Sequence, residues 1–507
     1  MNQILFQRLE EKIFELRPQL KIIRDTYGHL SYFDYAKQKN RASQHKLAKE
    51  RKSELIEVVK QETTRLLGSA IAESVEKQLK KNDSISTTEH TASIGATNIL
   101  HAALHSSVPL FGNDDPRMKN ILVFSCSGIS FNNTVSFSRG MQFHGFTDNQ
   151  IHDNQLTFFG RSADSQTVLY APAYTHDTVA EMHKRLLSLV QEGKVQQEYA
   201  KTLDKLLVKR LSSPHALSMT EYVDQLTITN YYLWKTFFPS WNYTAIPNYI
   251  QLSQEKIVLK LILDYHLEND TLIHNLLFNP EYHTLIEKHF EGIFGAFKKD
   301  KSYGTFLFWG LSKDNVRFQL FHDGNALVNE EKNYSLELTP ESLKEAIKNK
   351  EVFPSLLLTF TVLCFYYGLL AGGGPNQPDY LMQMKDAYIR VLTELNNTEE
   401  AENVATVATN DFIFNRSHLA LIDAYGERIP AGGLDMDLYQ NPEAWKDIIE
   451  ATKAIPMGDL MNVILLTYYK LYCPQEERDE ELMNESLHGM LAFLGIDSKM
   501  PPVGIIT

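Results

Sequence analysis

Apolar residues recur at helical spacing over the first eighty residues of the chain. One face of a predicted helix is formed by Leu5, Leu9, Ile13 and Leu16. A second amphipathic stretch runs over residues 55–79, and the Lys- and Arg-rich segment 35–51 before it predicts a solvated helix face. The pattern therefore predicts a helical N-terminal region over residues 1–82.

A continuous apolar run predicts a buried strand over Asn120–Ser125. Runs of this length are typical of a parallel sheet that is covered on both faces. A polar loop at 85–95 and a helical pattern at 98–106 precede the run. The order loop, helix, strand indicates an α/β unit, and we expect residues 83–175 to form the first part of an α/β core.

Helical patterns dominate the next segment, residues 176–300, which is predicted to be a mainly helical insertion with one candidate strand at 246–252. Alternating residues at 137–159 and 304–321 predict β-hairpins. Residues 301–425 are expected to form the second part of the core, and residues 426–507 a C-terminal helical region. The fold class predicted is α/β, with inserted helical and β-hairpin segments and helical N- and C-terminal regions.

A glycine-rich loop interrupts the apolar pattern of residues 357–385. Gly372, Gly373 and Gly374 are followed by Pro375-Asn376-Gln377-Pro378, and a helical pattern resumes at Asp379. Glycine is costly to order and is favoured where the backbone turns sharply or approaches a ligand closely. The loop opens onto a helix N-terminus, where unpaired N–H groups favour an anion. An ordinary joint between two helices explains the loop equally well.

Polar residues follow the predicted strand directly, in the segment 126–134. Ligands of open α/β sheets bind beyond the carboxyl ends of strands, so Ser127, Asn132 and Asn133 are candidates for a polar pocket. Arg139 and His144 fall on polar positions of the predicted hairpin, where surface or packing roles are the commoner explanation.

Composition limits the classes of function. The net charge of −13 argues against nucleic acid and anionic membranes as partners. The three cysteines form no CxxC pair or metal-like cluster, which fits a reducing cytoplasm. Charges interrupt the N-terminal apolar residues, so no signal peptide is expected. The longest apolar run, 352–371, contains proline, tyrosines and threonines and predicts a buried helix rather than a membrane span.

The sequence lacks the common catalytic and nucleotide-binding motifs. It contains no GxxxxGK[ST], no GxGxxG after a strand, no HExxH and no GxSxG. His101 and His105 could share a helix face, but no third ligand accompanies them, so no metal site is predicted. ATP is one candidate cofactor although the chain has no P-loop, and the sequence does not identify the cofactor.

Two segments carry a resemblance to a known family. The first is Thr88-Glu89-His90-Thr91 with the helix and strand after it, and the second is Gly373-Gly374-Pro375-Asn376-Gln377 followed by Asp379-Tyr380 and Gln383-Met384-Lys385. In this order they resemble bacillithiol synthase, the cysteine-adding enzyme of bacillithiol biosynthesis. That family has Thr-Gly-Gln-Gln at the first position and Gly-Gly-Pro-Gly-Glu at the second. The likeness is clearest over 300–390 and fainter over 80–135.

The resemblance implies a Rossmann-like parallel sheet core and a bacterial biosynthetic ligase. The chain departs from the family where Glu89 and His90 replace two glutamines and where Gln377 replaces a glutamate. It departs again after the strand, where Cys126, Ser127, Gly128 and Ser130 replace acidic and His-rich residues. A glutamate can act as a base, whereas a glutamine can only form hydrogen bonds, so the fold can carry over without the reaction.

The predicted function is a cytoplasmic ligase- or transferase-like enzyme that joins an amino acid, cysteine by the resemblance, to a small polar acceptor. The alternative is a non-catalytic small-molecule-binding or scaffold protein on the same fold. Glu89 and His90 are the predicted acid/base residues. The predicted substrate-binding residues are Thr91, Asn98, Ser127, Asn132, Asn133, Arg139, Gly373, Gly374, Asn376, Gln377, Tyr380 and Lys385. The expected partner is a small-molecule substrate, without nucleic acid or membrane, and a homodimer is considered as the assembly.

Overall fold

Helices surround several small sheets in this α/β protein, whose residues are 52% helical. The computed structural model describes residues 1–111, 115, 117–133, 137–242, 244–413 and 418–507. The α-helices are α1 (Gln3–Leu16), α2 (Pro18–Tyr27), α3 (Tyr32–Lys39), α4 (Lys46–Leu67), α5 (Ser69–Leu79), α6 (Thr97–Ser107), α7 (His176–Gln191), α8 (Gln197–Leu211), α9 (Pro214–Leu217), α10 (Tyr222–Trp234), α11 (Gln254–Leu261), α12 (Leu272–Phe278), α13 (Pro280–Phe290), α14 (Pro340–Lys348), α15 (Leu356–Phe360), α16 (Gln377–Glu394), α17 (Thr398–Ala405), α18 (Gly433–Leu438), α19 (Ala444–Ala454), α20 (Met457–Tyr472), α21 (Glu480–Asn484) and α22 (Leu487–Phe493).

The strands are mostly short. They are β1 (Ser84–Ser86), β2 (Asn120–Ser125), β3 (Gly140–Thr147), β4 (Gln150–Thr157), β5 (Asn248–Ser253), β6 (Phe308–Leu311), β7 (Arg317–Gln319), β8 (Phe321–Asp323), β9 (Ala326–Asn329), β10 (Tyr334–Glu337), β11 (Val352–Pro354), β12 (Leu370–Gly372), β13 (Leu421–Ala424), β14 (Glu427–Pro430) and β15 (Gly504–Ile506). The buried strand predicted from the apolar run is confirmed as β2, whose six residues are all buried.

A four-stranded parallel sheet forms the centre of the fold, in the order β12–β1–β2–β5. Ser84 pairs with Leu370 and Ser86 with Gly372, while Asn120 pairs with Asn248 at the start of the longer pair. Strand β5 comes from the segment predicted to be mainly helical. The sheet therefore draws its four strands from widely separated parts of the chain.

Each face of the central sheet carries its own apolar core. Along β2, Ile121 and Val123 belong to one core, and Leu122 and Phe124 to the other, because successive side chains of a strand point to opposite faces. Helices α6 and α10 contribute leucines to the first core, and α4, α5 and α11 contribute aliphatic residues to the second. Helices thus cover both faces, which explains why residues 121–124 of β2 are all apolar.

The N-terminal helices pack against the C-terminal ones. The predicted face of α1 is confirmed for Leu5, Leu9 and Ile13, which are buried, and the helix contacts α20. Asn2 caps α1 by accepting a hydrogen bond from the backbone N–H of Leu5 (3.0 Å). Both terminal regions are helical as predicted, and the C-terminal one also contains β14 and β15.

The apolar run 352–371 is more divided than the single buried helix that was predicted. It forms β11, the short helix α15, a π-helical turn over Thr361–Tyr366, and then the first two residues of β12. Gly368 adopts a left-handed conformation with φ of +70°, which ends the helical part and allows the chain to extend. Within the part of the chain that the structure describes, no helix is long and apolar enough to cross a membrane.

Candidate functional site

The candidate site lies where the strand order of the central sheet reverses. β1 is the first of its strands along the chain, and β2 and β12 flank it on opposite sides. In open α/β sheets, ligands bind in a crevice beyond the carboxyl ends of the strands at such a reversal. We call the residues that form this edge, 87–91, 126–128 and 373–377, the switch-point edge.

Gln377 joins the glycine-rich turn to the loop after β1. Its side-chain oxygen accepts a hydrogen bond from the Thr87 hydroxyl (3.0 Å), and its side-chain nitrogen donates to the backbone oxygen of Ala371 (3.1 Å). The Thr87 backbone N–H also donates to the oxygen of Gly372 (2.9 Å). Gln377 is only 3% exposed. Its hydrogen-bonding groups therefore hold two loops together.

Close approach of this side chain explains the glycine at position 373. A Cβ atom at Gly373 would lie 2.0 Å from Cδ of Gln377, which no side chain tolerates. The backbone of Gly373 also bonds with the segment 411–413, through its N–H to the Asp411 oxygen and its oxygen to the Ile413 N–H. The glycine thus allows the carboxamide to fold back over the turn.

The loop after β1 extends the parallel sheet by one step beside β2. The Cys126 N–H donates to the Glu89 oxygen (3.0 Å), and the Thr91 N–H donates to the Cys126 oxygen (2.9 Å). The Thr91 hydroxyl lies 2.6 Å from that of Ser125 and 2.8 Å from that of Ser127. The loop after β1 therefore contacts both the glycine-rich turn and the loop after β2, although Thr134, at the end of the latter loop, lies outside the described residues.

Glu89 is an acid held in the interior of this edge. It is 1% exposed, and its Oε2 accepts a hydrogen bond from the Ser86 hydroxyl (2.6 Å). Its Oε1 has no hydrogen-bond partner among the described residues. Loss of hydration on burial raises the pKa of Glu89 to about 7, because the charged form is the one that needs water. Glu89 therefore changes its charge near neutral pH.

His90 follows on the outer side of the edge and is half-buried. Its Nδ1 lies 3.1 Å from the side-chain oxygen of Asn133, so that the ring donates and the amide accepts. This hydrogen bond favours the neutral tautomer with its proton on Nδ1 and the lone pair on Nε2. A histidine oriented in this way has the form of a general base.

Glu255 is a buried carboxylate that the sequence reasoning missed. It lies in the first turn of α11, beyond β5, and is 2% exposed. It accepts hydrogen bonds from the backbone N–H groups of Ser127 (2.9 Å) and Gly128 (3.0 Å), and from the thiol of Cys126 (3.3 Å). A signal was available, since an acid directly after a strand lies at the ligand-binding edge of such a sheet.

The Glu255 carboxylate limits what the loop after β2 can bind. The N–H groups of Ser127 and Gly128 are the donors that a phosphate would need at this loop, and Glu255 occupies both. The loop therefore does not fit the phosphates of ATP in this arrangement. Burial raises the pKa of the Cys126 thiol well above its usual range, and the Glu255 carboxylate raises it further.

Tyr380 closes the edge from helix α16. Its hydroxyl donates to the side-chain oxygen of Gln377 (3.4 Å), and its ring packs near Phe360, with the ring centroids 6.0 Å apart. Burial raises the pKa of Tyr380, and the neighbouring Cys126 contributes to this shift. The hydroxyl is therefore a neutral donor beside the thiol.

Several predicted substrate-binding residues have other partners. Lys385 donates to the Val407 oxygen (3.0 Å) and lies two turns, about 12 Å, along α16 from Gln377, so its assignment to the edge is wrong. Asn376 accepts from the Arg17 guanidinium (2.8 Å) and faces the N-terminal helices instead. The sequence pattern indicated neither the contact of Lys385 with Val407 nor that of Asn376 with Arg17.

Arg139 and Asn132, two of the predicted substrate-binding residues, both contact Asp164. Arg139 pairs with the Asp164 carboxylate (3.0 Å), and the backbone N–H of Asn132 donates to the Asp164 oxygen (3.0 Å). Asn98 lies in the first turn of α6 and is half-buried. Gly374 accepts the Gln377 N–H through its backbone oxygen (3.0 Å) and so belongs to the turn.

The histidines flagged in the sequence lie inside the first core. His101 and His105 are both buried on α6, and the ring of His101 lies 4.6 Å from that of His418. Across the residues that the structure describes, no group of three or more histidine, cysteine, aspartate or glutamate side chains is arranged to hold a metal ion. Comparison of the chain with models of protein families and with curated proteins found no match.

Proposed function

We propose that the protein is an acyl-transfer enzyme of the ligase or transferase type, which joins an amino acid to a small polar acceptor at the switch-point edge. The proposal takes the central sheet as a Rossmann-like core, since the order of its strands along the chain, 3-2-1-4, is the first part of the Rossmann order. The setting proposed is the cytoplasm, in keeping with three free cysteines.

The observation that carries the proposal is the pair formed by His90 and Asn133 beside the reversal of strand order. A general base needs a lone pair at the reacting atoms and a partner that fixes its tautomer. Asn133 supplies the partner, and the edge supplies the crevice. Glu89, the residue before His90, is buried and accepts a hydrogen bond from the Ser86 hydroxyl. We therefore assign the base to His90 and give Glu89 a positioning role.

The proposed step needs no cofactor or metal bound at the switch-point edge. The amine nitrogen of the acceptor attacks the carbonyl carbon of an activated amino acid, such as a thioester. The C–N bond forms, the bond from that carbon to the leaving group breaks, and the leaving group keeps the electron pair. His90 takes the amine proton through Nε2, which is typically worth about 10²–10⁴-fold in rate.

The test is a mass-spectrometric assay for amide products. The donors are N-acetylcysteamine thioesters of glycine, serine and cysteine, and the acceptors are ethanolamine and hexosamines. We expect one pair to give product with the wild-type protein, and His90→Ala to lose about 10²–10⁴-fold in kcat while the fold is retained. Lys385→Ala is the matched control because its ammonium group lies away from the edge. Full activity in His90→Ala would remove this residue as the base.

A second candidate function, non-catalytic binding of a small molecule or a scaffold role, is favoured by a different observation. The Gln377 side-chain oxygen accepts from the Thr87 hydroxyl, and the Glu255 carboxylate accepts from the Ser127 N–H. Polar groups that are satisfied internally stabilise an edge without serving a reaction. Product formation from none of the donor–acceptor pairs, together with saturable binding of one acceptor by calorimetry, would support this function over the enzyme.

A further inference from the structure

A cavity separate from the switch-point edge lies between the central sheet and helices α3 and α6. It has a volume of about 80 Å³ and is lined by parts of β1, β2 and β12, by both helices and by residues 411–413. An engineered cavity of about 150 Å³ holds benzene, so a volume of this size accepts about three or four non-hydrogen atoms. The space is therefore suited to a small molecule or to the end of a larger one.

Asp411 is a buried carboxylate in the wall of this cavity with one oxygen to spare. It is 3% exposed, and its Oδ1 accepts from the Lys39 ammonium and the Arg41 guanidinium, each at 2.9 Å. Its Oδ2 has no hydrogen-bond partner among the described residues. A buried carboxylate oxygen without a donor is costly, and such groups are normally satisfied by protein, water or ligand. Asp411 therefore marks a place for a hydrogen-bond donor.

Other groups of the wall specify what kind of donor fits. The Ser106 hydroxyl lines the cavity and likewise lacks a hydrogen-bond partner among the described residues. Lys39 also lines it, with its ammonium group 4.9 Å from the centre of the Tyr35 ring. Two cations and one carboxylate leave a net positive charge, which disfavours an ammonium ligand. A hydroxyl group meets both needs, since it can donate to Asp411 and accept from Lys39 or Ser106.

We propose that this cavity is a binding site for a small uncharged molecule with hydroxyl groups on adjacent carbons, of the size of ethylene glycol. One hydroxyl donates to Asp411 Oδ2, and the second bonds with Ser106. The carbon chain packs against the aromatic and aliphatic part of the wall, which includes Tyr35 and Leu370. The site does not depend on the acyl-transfer function, and either can fail without the other.

The test is saturation-transfer NMR on the full chain, with ethylene glycol as the probe and perdeuterated ethylene glycol as the competitor. Ligands of about four non-hydrogen atoms bind with dissociation constants on the order of millimolar or weaker, so the probe is used at up to about 100 mM. We expect a saturable signal for ethylene glycol that the perdeuterated compound displaces, and none for ethylammonium. A missing signal for ethylene glycol, or a stronger one for ethylammonium, would overturn the assignment.

Three variants locate the site. Asp411→Asn removes the acceptor charge and should weaken binding about tenfold, the effect of one hydrogen bond to a charged group. Ala36→Leu adds carbon atoms to the wall from α3 and should abolish the signal in a folded protein, which guards against an unfolded Asp411→Asn. Asp423→Asn, which removes a carboxylate paired with Arg428 elsewhere, is the matched control and should keep the signal. Equal signals in all three variants would refute the site.

Discussion

Glu89 should make the stability of the protein depend on pH near neutrality. The pKa of Glu89 is raised from 4.5 to about 7 in the folded protein by burial, whereas an unfolded chain hydrates the carboxyl group fully. Below pH 4.5 the group is protonated in both states and costs nothing. As the pH rises from 4.5 to about 7, the unfolded chain releases this proton while the folded protein still holds it, so stability is lost over that interval and stays lost above it.

The size of this loss follows from the shift. A difference of 2.5 pKa units, from 4.5 to 7, corresponds to about 3 kcal/mol at 1.36 kcal/mol per unit, fully developed above pH 7. Because Glu89 is 1% exposed, solvent does not screen the effect away. Between pH 5 and pH 8.5 the contribution changes by about 2–3 kcal/mol. The contribution of Glu89 can be measured by comparing variants, because the contributions of the other titrating groups cancel in the comparison.

Glu89→Gln is the variant that isolates the effect. Its amide cannot ionise, and its oxygen can still accept from the Ser86 hydroxyl. We expect the difference in free energy of unfolding between Glu89→Gln and wild type to move by about 2–3 kcal/mol in favour of the variant from pH 5 to pH 8.5. The measurement is urea denaturation followed by tryptophan fluorescence at both pH values.

A control variant and a refuting outcome complete the test. Glu73→Gln removes a carboxylate from an exposed position of α5 and should show a difference of less than about 0.5 kcal/mol at either pH. A difference for Glu89→Gln that is the same at pH 5 and pH 8.5 would show that the carboxyl group is not buried as described. The positioning role proposed for Glu89 would then also be lost.

Three further predictions concern other residues of the fold. Gly373→Ala should lower stability by about 2–3 kcal/mol in thermal unfolding, since its methyl group would overlap the glutamine four residues later, whereas Gly160→Ala, with open space around it, should change little. Arg51→Ala should cost about 3–5 kcal/mol by urea denaturation, because it leaves the buried Glu400 carboxylate without its two hydrogen bonds of 2.8 Å; a cost under 1 kcal/mol would contradict this. Cys126 should react with iodoacetamide at pH 7.5 more slowly than free cysteine, since its thiol pKa is raised; faster labelling would contradict that direction.

Local patterns were sufficient where a segment's environment is uniform along its length. The segment 120–125, which is apolar from 121 to 124, suits a strand covered on both faces, and it forms β2. Thr339 and Pro340 are residues typical of a helix start, and α14 begins there with the Thr339 hydroxyl accepting the Ser342 N–H. The apolar run 352–371 was different, because a buried helix and a buried strand have the same composition, and β12 was missed there.

The candidate site was predictable in its loops but not in its contacts. The glycines, the polar strand ends and the resemblance pointed to three segments, and these segments meet at the switch-point edge. Glu255 was missed because its partners on the loop after β2 lie 127 and 128 residues earlier, and only the pairing of β2 with β5 brings them together. Lys385 was misplaced because helical pitch carries it away from the turn.

The pairing of β1 with β12 has a consequence for the synthesis of the chain. The Thr87–Gln377 hydrogen bond joins residues 290 positions apart. A ribosome that adds about 5–20 residues per second needs about 15–60 s to produce the second partner after the first. During that interval the edge of β1 that β12 later covers has no strand beside it, and unpaired strand edges are prone to aggregation. The crevice at the reversal of strand order is therefore completed late in translation, and slower elongation prolongs the exposure of β1.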